Sequence, residues 1–385
     1  MDFELTAEQQ ALRTRARALA DAAIAERAAR WDANEEYPWD NVNDLVTAGF
    51  MGMTIPREHG GGDRPLLDVV LVIEEIARAC GVSARIVVEG NLGVVGALRA
   101  YGTEAQKRRY FPWVLEGEKP AIAISEPAAG SAATDLTTRA DESAAGFRLT
   151  GHKCWITGAG TSRLYLVYAR FGERAGAAGI GGIFVERDTP GFRIGRRELM
   201  MGLRGIPEGE LHFEGCEVPR ENLLVGAGDG FKKLMRAYNA QRLGAATVAL
   251  GLAQGAYEKA LAYATQRKQF GHAIGDFQGI RWKLADMAIK LDAARLLIHR
   301  AAARAGRDFP DALEAAKAKT FAAETAQEVT SQALQIHGAA GYGRSLPLER
   351  MVRDARMFAI GGGTLEMMRN LIADRLLPTR ANWRA

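Results

Sequence analysis

Residues 146–160 read GFRLTGHKCWITGAG, and they decide the fold class because they begin a series of short β-rich runs in a chain that is otherwise helical. Further runs of this kind are RLYLVYARF at 163–171, GIGGIFVERD at 179–188 and GELHFEGCEVPRENLLV at 209–225. Gly and Pro turns separate these runs, and many of them alternate between apolar and polar residues, which is typical of strands. We therefore predict a β domain over residues 119–230.

Helical periodicity before the β domain predicts an all-α N-terminal domain over residues 1–118. Thr6, followed by Gln9 three positions later, forms a capping-box pattern that begins the first helix. The apolar run PLLDVVLVIEEIARACG predicts another helix, which we expect to end at Gly81.

The C-terminal region, residues 231–385, contains three stretches of roughly 25 residues or more with helical periodicity and a shorter one after them. They predict a four-helix bundle. The fold class is therefore α+β and mostly α. An all-β fold is excluded, and a doubly wound fold is not expected because strands do not alternate with helices.

Composition predicts a globular protein without nucleic-acid or membrane partners. The net charge is +4 over 385 residues, with no block of Lys and Arg. No apolar run reaches the roughly 18 residues of a membrane span, and the polar start MDFELTAEQQ is not a secretory signal. The three widely spaced cysteines, Cys80, Cys154 and Cys216, predict reduced thiols in the cytoplasm. The six histidines show no ligand spacing, so no metal site is predicted.

The segment AIAISEPAAGSAATDLTT, residues 121–138, combines a short strand with a loop of small residues. Such a loop exposes backbone N–H groups and hydroxyls, which suits a phosphate or the polar edge of a flavin. An ordinary surface turn has the same composition, so the segment alone leaves both interpretations open.

Several strings together resemble the acyl-CoA dehydrogenase superfamily. They are AISEPAAGS, GHKCWITGAG, QRKQFGHAIGDFQ, LADMA, QIHGAAGYGRSLPLERMVRDAR and GGGTLEMMR, which occur in that family's order across essentially the whole chain. The resemblance implies an N-terminal α domain, a middle β-barrel-like domain and a C-terminal four-helix bundle. It also implies non-covalent FAD, an acyl-CoA thioester substrate and a homotetramer.

The resemblance assigns most of the cofactor-binding residues by position. It places Ile124 and Ser125 along the flavin ring, Trp155 and Thr157 at its flank, Gly130 and Ser131 near the flavin and the CoA arm, Arg242 near the CoA, Arg267, Phe270 and Gln278 at the FAD of a neighbouring subunit, and Gln335, Gly338 and Thr364 at further dinucleotide contacts. Read without the resemblance, Trp155 is equally compatible with cross-strand packing and Arg267 with a solvated helix charge.

The family's α-proton base is missing from both positions where the resemblance would place it. Those positions hold Gly362 and Gln241, and an amide cannot act as a base near neutral pH. Gly362 keeps the backbone N–H that, by resemblance, polarises the thioester carbonyl. Glu366 and Glu89 remain as alternative bases.

A subgroup, the 3-sulfinopropanoyl-CoA desulfinases, also lacks the base and carries strings similar to YPWDNV, AGFMGM, AYNAQR and IGGGT of this chain. The resemblance implies cleavage of a β C–S bond by water, giving propanoyl-CoA and sulfite without net redox change. Arg85 then binds the sulfinate, because a guanidinium fork suits a two-oxygen anion, and Gln241 orients substrate or water. An i,i+4 salt bridge from Arg85 to Glu89 on a solvated helix face is the simpler interpretation of the spacing alone.

Two other functions remain open at this point. One is dehydrogenation of a short or acidic acyl-CoA by a non-standard base, with an electron-transfer flavoprotein as partner. The other is a non-catalytic protein that binds FAD and CoA.

Overall fold

The N-terminal part of the chain forms seven α-helices in a computed structural model that describes residues 4–377. They are α1 (Ala7–Leu19), α2 (Ala25–Asn34), α3 (Trp39–Thr47), α4 (Leu66–Ala79), α5 (Gly81–Glu89), α6 (Val94–Tyr101) and α7 (Glu104–Leu115), with a π-helical segment joining α1 to α2. The predicted capping box begins α1: the Gln9 N–H donates to Thr6 Oγ1 at 3.2 Å, and the Thr6 N–H donates to Gln9 Oε1 at 3.1 Å.

The helix expected to end at Gly81 ends at Ala79, and this part of the prediction is wrong. Cys80 is extended, with φ −154° and ψ 114°, and Gly81 begins α5. A Cβ at Gly81 would lie 3.0 Å from Leu203 Cδ2 and 3.3 Å from Asp354 Oδ2. Glycine is therefore needed here for close packing between domains and not for a helix end.

By length and composition alone, the helical stretch Gly81–Tyr101 is apolar enough to cross a membrane, with a hydropathy of 1.3. Its most apolar window is entirely buried within the protein. Core helices of globular proteins share these properties.

The middle of the chain forms the predicted β domain. Its strands are β1 (Ala121–Ala123), β2 (Arg139–Ser143), β3 (Gly146–Thr157), β4 (Leu164–Arg170), β5 (Ile180–Glu186), β6 (Phe192–Glu198), β7 (Glu208–Pro219) and β8 (Leu223–Val225). One sheet runs in the order β6-β7-β3-β2-β4-β5-β8, and β1 pairs in parallel with β4. The inward side chains of this sheet, such as Leu149, Tyr165 and Phe213, form a hydrophobic core of their own.

The C-terminal part is helical again, which confirms the predicted fold class. It contains α8 (Gly230–Gln266), the two-residue strands β9 (Lys268–Gln269) and β10 (His272–Ala273), α9 (Gln278–Ala305), α10 (Ala312–His337), α11 (Ala339–Tyr342), α12 (Leu348–Met357) and α13 (Leu365–Leu376). The shorter last helix of the predicted bundle is divided into α12 and α13. The glycine run separates them, because Gly362 and Gly363 have φ values of 78° and 97°.

Helix α12 joins the three domains through two charged residues. The Arg353 guanidinium donates to Asp32 of α2 at 2.6 and 3.0 Å, to Glu349 at 2.7 Å and to the Met201 carbonyl at 3.0 Å. The buried Asp354 carboxylate accepts the Leu203 N–H at 2.6 Å. The loop between β6 and β7 is thereby fixed against the helical domains.

We predict that Asp354→Ala destabilises the protein by about 2–3 kcal/mol, because the buried Leu203 N–H loses its acceptor. The exposed residue Asp292 on α9 provides the control, since Asp292→Ala should change stability by at most about 0.5 kcal/mol. Urea denaturation of both variants measures the difference. An equal effect of the two substitutions would contradict a joining role for Asp354.

Candidate active site

A cavity of about 780 Å³ lies where the three domains meet. Helix α5 closes one side, the β1 loop with β3 and β7 another, and α8 with the glycine run a third. The cavity is lined by most of the residues singled out from the sequence, namely Arg85, Ile124, Ser125, Gly130, Ser131, Trp155, Thr157, Gln241, Arg242, Gly362 and Thr364. The fold thus brings together residues that are up to 279 positions apart, from Arg85 to Thr364.

The other predicted cofactor residues lie outside this cavity's lining. Arg267 and Phe270 lie at and just after the end of α8, and Gln278 begins α9. Gln335 and Gly338 lie at the end of α10. The Phe270 ring is 90% exposed. One subunit therefore does not place these residues beside the cavity residues.

The loop at residues 121–138 is held by one buried carboxylate, Glu126. It accepts the N–H groups of Thr137 and Thr138 at 2.6 and 2.9 Å and an ion-paired hydrogen bond from the Lys153 ammonium at 2.9 Å. Lys153 also donates to the Ile124 carbonyl at 2.9 Å. Burial opposes ionisation of Glu126, but Lys153 and these donors hold its pKa down at about 2. The loop is therefore fixed in shape by the strand behind it.

Strand β3 turns Trp155 toward the cavity through an irregularity in its pairing with β7. The register shifts between Lys153 and Ile156, and Trp155 adopts a φ of 56°. The indole lines the cavity and is 58% exposed. A Cβ at Gly130 would meet nothing within 4 Å, and one at Gly362 would meet only Arg242 Cγ at 3.9 Å. An exposed aromatic wall beside this open space fits a planar ring system such as a flavin.

Arg85 belongs to a buried ionic cluster on the cavity wall. Its Nη2 donates to Glu89 at 2.5 Å, and the Lys119 ammonium lies 2.6 Å from the other Glu89 oxygen. The i,i+4 pair expected from the spacing is present, but the helix face is buried and not solvated, since Arg85 and Glu89 are 7% and 6% exposed. Arg85 Nε has no hydrogen-bond partner within residues 4–377. One donor of the guanidinium is thus left unpaired beside the cavity.

The glycine run is fixed by two cations. Arg242 Nε donates to the Gly362 carbonyl at 3.1 Å, and the Lys319 ammonium donates to the Gly363 carbonyl. Burial lowers the pKa of Lys319 to about 8. In the described part of the chain, the Gly362 N–H donates to no acceptor. The backbone is therefore held rigidly while this donor stays free, as polarisation of a carbonyl requires.

Neither of the alternative bases is well placed. Burial disfavours the charged form of Glu89, but Lys119 and Arg85 hold its pKa below the ordinary value. Glu366 is exposed on α13 and does not line the cavity. Gln241 lines the cavity, and its buried Oε1, which lies against Gly93, has no hydrogen-bond partner among the described residues.

Glu208 is a cavity residue that the sequence reasoning missed. It is the first residue of β7, and the Thr157 hydroxyl donates to its Oε1 at 2.6 Å. Burial raises its pKa to about 7, against the opposing effects of Thr157 and Arg85. No motif marks this position, and only the register between β3 and β7 brings it to Thr157.

Two histidines that show no ligand spacing in the sequence are brought together by the fold. Cross-strand pairing brings His152 beside His212, and Glu210 lies 3.7 and 3.3 Å from their Nε2 atoms. The imidazole planes are nearly parallel, at 13°, with centroids 4.4 Å apart. The three possible ligand atoms lie within 4.8 Å of one another. His212 Nε2 and Glu210 are within hydrogen-bonding distance at 3.3 Å, whereas the buried His152 Nε2 has no hydrogen-bond partner among the described residues.

We predict that Glu126→Gln destabilises the protein by about 3 kcal/mol at pH 7, because it leaves the buried Lys153 ammonium without its counterion. The lowered pKa of Glu126 means that its contribution is complete above about pH 4.3 and is lost as the pH falls toward 2. The gap in thermal midpoint between wild type and variant should therefore shrink in acid. Glu142→Gln, on the exposed part of β2, is the control; a gap independent of pH would contradict the ion pair.

Comparison with known proteins places the chain among flavoenzymes that act on CoA thioesters. Sequence models of the N-terminal, middle and C-terminal domains of acyl-CoA dehydrogenase match residues 6–118, 121–216 and 228–377. A 3-sulfinopropanoyl-CoA desulfinase of Cupriavidus necator is 52% identical over 97% of this chain and 96% of its own, and that of Advenella mimigardefordensis is 49% identical over 97% and 95%. The solved butyryl-CoA dehydrogenase of Megasphaera elsdenii is 34% identical, with a TM-score of 0.94 over 98% of this chain and all of its own. The chain therefore belongs to the acyl-CoA dehydrogenase family.

Proposed function

We propose that this protein is a FAD-containing 3-sulfinopropanoyl-CoA desulfinase, which releases propanoyl-CoA and sulfite. The observation that carries the proposal is a buried arginine on the cavity wall, with one nitrogen unpaired, in a cavity whose two expected base positions hold an amide and a glycine. Relatives that bear the name of this activity are about half identical over almost the full chain, which supports the same conclusion.

The Arg85 end of the cavity suits the sulfinate. Of the three charges in the cluster, Arg85 and Lys119 are positive and Glu89 is negative, so the cluster keeps one net positive charge. A guanidinium that is already fixed by Glu89 loses little further freedom when it binds a two-oxygen anion. The same cation could hold a carboxylate, so the activity assay compares 3-sulfinopropanoyl-CoA with succinyl-CoA.

The opposite wall suits the thioester. The free Gly362 N–H donates to the thioester carbonyl, while Arg242 and Lys319 keep the glycine backbone in place. Gln241, which lines the cavity, orients substrate or water. Ser131 and Arg242 contribute to binding of the CoA part. Among Gln241, Gly362, Glu89 and Glu366, no well-placed base is present for removal of an α proton, so dehydrogenation would require another cavity carboxyl such as Glu208.

Family membership implies a flavin, and we propose FAD. Its ring would lie against Trp155 and Thr157, with Ile124, Ser125, Gly130, Ser131 and Thr364 along the cavity wall. Bound FAD would supply a planar wall and hydrogen-bond donors to the thioester, without a net redox change. Five predicted residues lie outside the cavity. Of these, Arg267, Phe270 and Gln278 would contact the FAD of a neighbouring subunit. Gln335 and Gly338 would make further contacts with the dinucleotide.

A homotetramer is the assembly that we propose. Helix α9 exposes Trp282, Ile289 and Leu296 at intervals of seven residues, with exposures of 61%, 66% and 52%. Large apolar residues repeated at this spacing lie on one helix face and mark a surface that another helix covers. A cytoplasmic location remains part of the proposal, and an electron-transfer flavoprotein would be a partner only if dehydrogenation occurred.

The activity assay separates the three functions. Purified protein that contains FAD is given 3-sulfinopropanoyl-CoA and sulfite release is measured; butanoyl-CoA and succinyl-CoA are tested separately with an artificial electron acceptor. We expect sulfite and no acceptor reduction. Acceptor reduction without sulfite would overturn the desulfinase proposal in favour of a dehydrogenase, and neither signal, despite bound FAD, would favour a non-catalytic binding protein.

Arg85→Lys should lower kcat/KM for sulfite release by about 100-fold, because a point charge replaces a two-donor fork in a buried site. Arg300→Lys, on the half-exposed face of α9, is the matched control and should behave as wild type. FAD content, measured by visible absorbance, checks that both variants are loaded. Near-normal turnover by Arg85→Lys would remove Arg85 from the site.

A further inference from the structure

Glu208 differs from the other buried carboxylates of the cavity. Glu89 is neutralised by Arg85 and Lys119, and Glu126 is neutralised by Lys153. Glu208 forms no ion pair in the part of the chain that the structure describes, and its hydrogen-bond donor is the neutral hydroxyl of Thr157. It is thus a cavity carboxyl whose negative charge is not compensated by a direct contact.

The register of the sheet fixes the position of Glu208. Its Cα pairs with that of Thr157 on β3 and with that of Glu198 on β6. The side chain lines the same cavity as Arg85 and Trp155, so it shares a space with the proposed sulfinate and flavin sites. Because it projects from a central strand, its position is set by the sheet and does not depend on a flexible loop.

The charged and titratable groups that face Glu208 come from each element around it. Arg85 and Glu89 face it from α5, Lys119 from the segment before β1 and Tyr238 from α8, and Glu198 is its register partner on β6. Both cations are drawn toward Glu89, at 2.5 and 2.6 Å. Burial consequently dominates, and the pKa of Glu208 rises to about 7. A carboxyl with this pKa can both give and recover a proton near neutral pH.

The proposed reaction needs such a group. When the C–S bond of 3-sulfinopropanoyl-CoA breaks, its electron pair stays on the β carbon, which must gain one proton to become the methyl group of propanoyl-CoA. Water forms the new S–O bond, so that hydrogensulfite leaves and the second proton of water is released. The reaction consumes one water molecule and conserves charge. It needs no external electron donor or acceptor.

We propose that the Glu208 carboxyl is a catalytic residue that delivers the proton to the β carbon as the C–S bond breaks and recovers a proton from the attacking water. This inference rests on the proposed desulfinase function and adds the proton-moving group that the family's motif positions do not supply. Thr157 is then a positioning residue, since its hydroxyl orients Glu208.

The test is Glu208→Gln in the FAD-loaded protein, with sulfite release measured from pH 5.5 to 9. The amide keeps the size and can still accept the Thr157 hydroxyl hydrogen bond, but it cannot transfer a proton. We expect kcat to fall by about 100-fold or more, with KM changed by less than about 3-fold. The wild-type rate should fall as the pH rises above about 7, and the residual rate of the variant should lack this dependence. Glu210→Gln, two residues along β7 and outside the cavity lining, is the matched control.

A second readout does not depend on turnover. Because the pKa of Glu208 is raised, its contribution to stability is complete below about pH 4.3 and is lost as the pH rises through about 7. The thermal midpoint of Glu208→Gln, measured relative to that of the wild type, should therefore rise between pH 5 and pH 8.5. Thr157→Val should move the alkaline limb of the wild-type pH profile to higher pH, because it removes a donor that favours the ionised form.

The outcomes separate the two levels of the proposal. If the wild type releases no sulfite, the desulfinase function fails, and the proton-donor role fails with it. If the wild type releases sulfite and Glu208→Gln retains its kcat or loses only substrate affinity, the function stands and the role of Glu208 is overturned. Glu208→Gln and Thr157→Val could both lose FAD while Thr157→Val leaves the pH profile unshifted. That result would show a structural role and would also overturn the proton-donor role of Glu208.

Discussion

The buried Glu89 carboxylate is the interaction on which the cavity depends. It holds Arg85 within its own helix and Lys119 from the segment that enters the β domain, so one anion joins two domains at the cavity wall. Lys119 is 1% exposed and also lies 3.4 Å from both the Thr157 carbonyl and the Ser162 hydroxyl. Without Glu89, two cations would be buried together without a counterion, which costs several kcal/mol. The same cluster both closes the domain boundary and leaves a positive wall for an anion.

The other walls are rigid for comparable reasons. Glu126 and Lys153 hold the small-residue loop against β3, and Arg242 and Lys319 hold the glycine run by its carbonyls. In each case a buried charge is satisfied by backbone groups of a segment that has few side chains of its own. The small residues leave open space, and the charged residues behind them keep that space in shape. A cavity assembled from three domains can in this way be preorganised before any ligand binds.

Much of this could be predicted from the sequence, because the relevant signals are local. The capping box at Thr6, the β-rich runs and the cavity position of the motif residues all follow from short strings. The missed features depend on strand register and domain packing. Glu208 meets Thr157, and His152 meets His212, only because β3 pairs with β7 in one particular register. Position 81 needs a glycine because Leu203 and Asp354 approach it from other domains, and no local pattern reports that approach.

The left-handed backbone at Gly362 makes this position less suitable for a carboxylate side chain than position 241, the other place where the family's base is expected. A residue with a side chain at 362 would have to adopt a φ near 78°, which costs about 1 kcal/mol before any new contact forms. Position 241 lies inside α8, where a glutamate fits the helical backbone without strain. A glutamate introduced at position 241 would therefore be accommodated with less backbone strain than one introduced at position 362. The left-handed backbone of one glycine thus separates two positions that the sequence alone would rank as equivalent sites for a carboxylate.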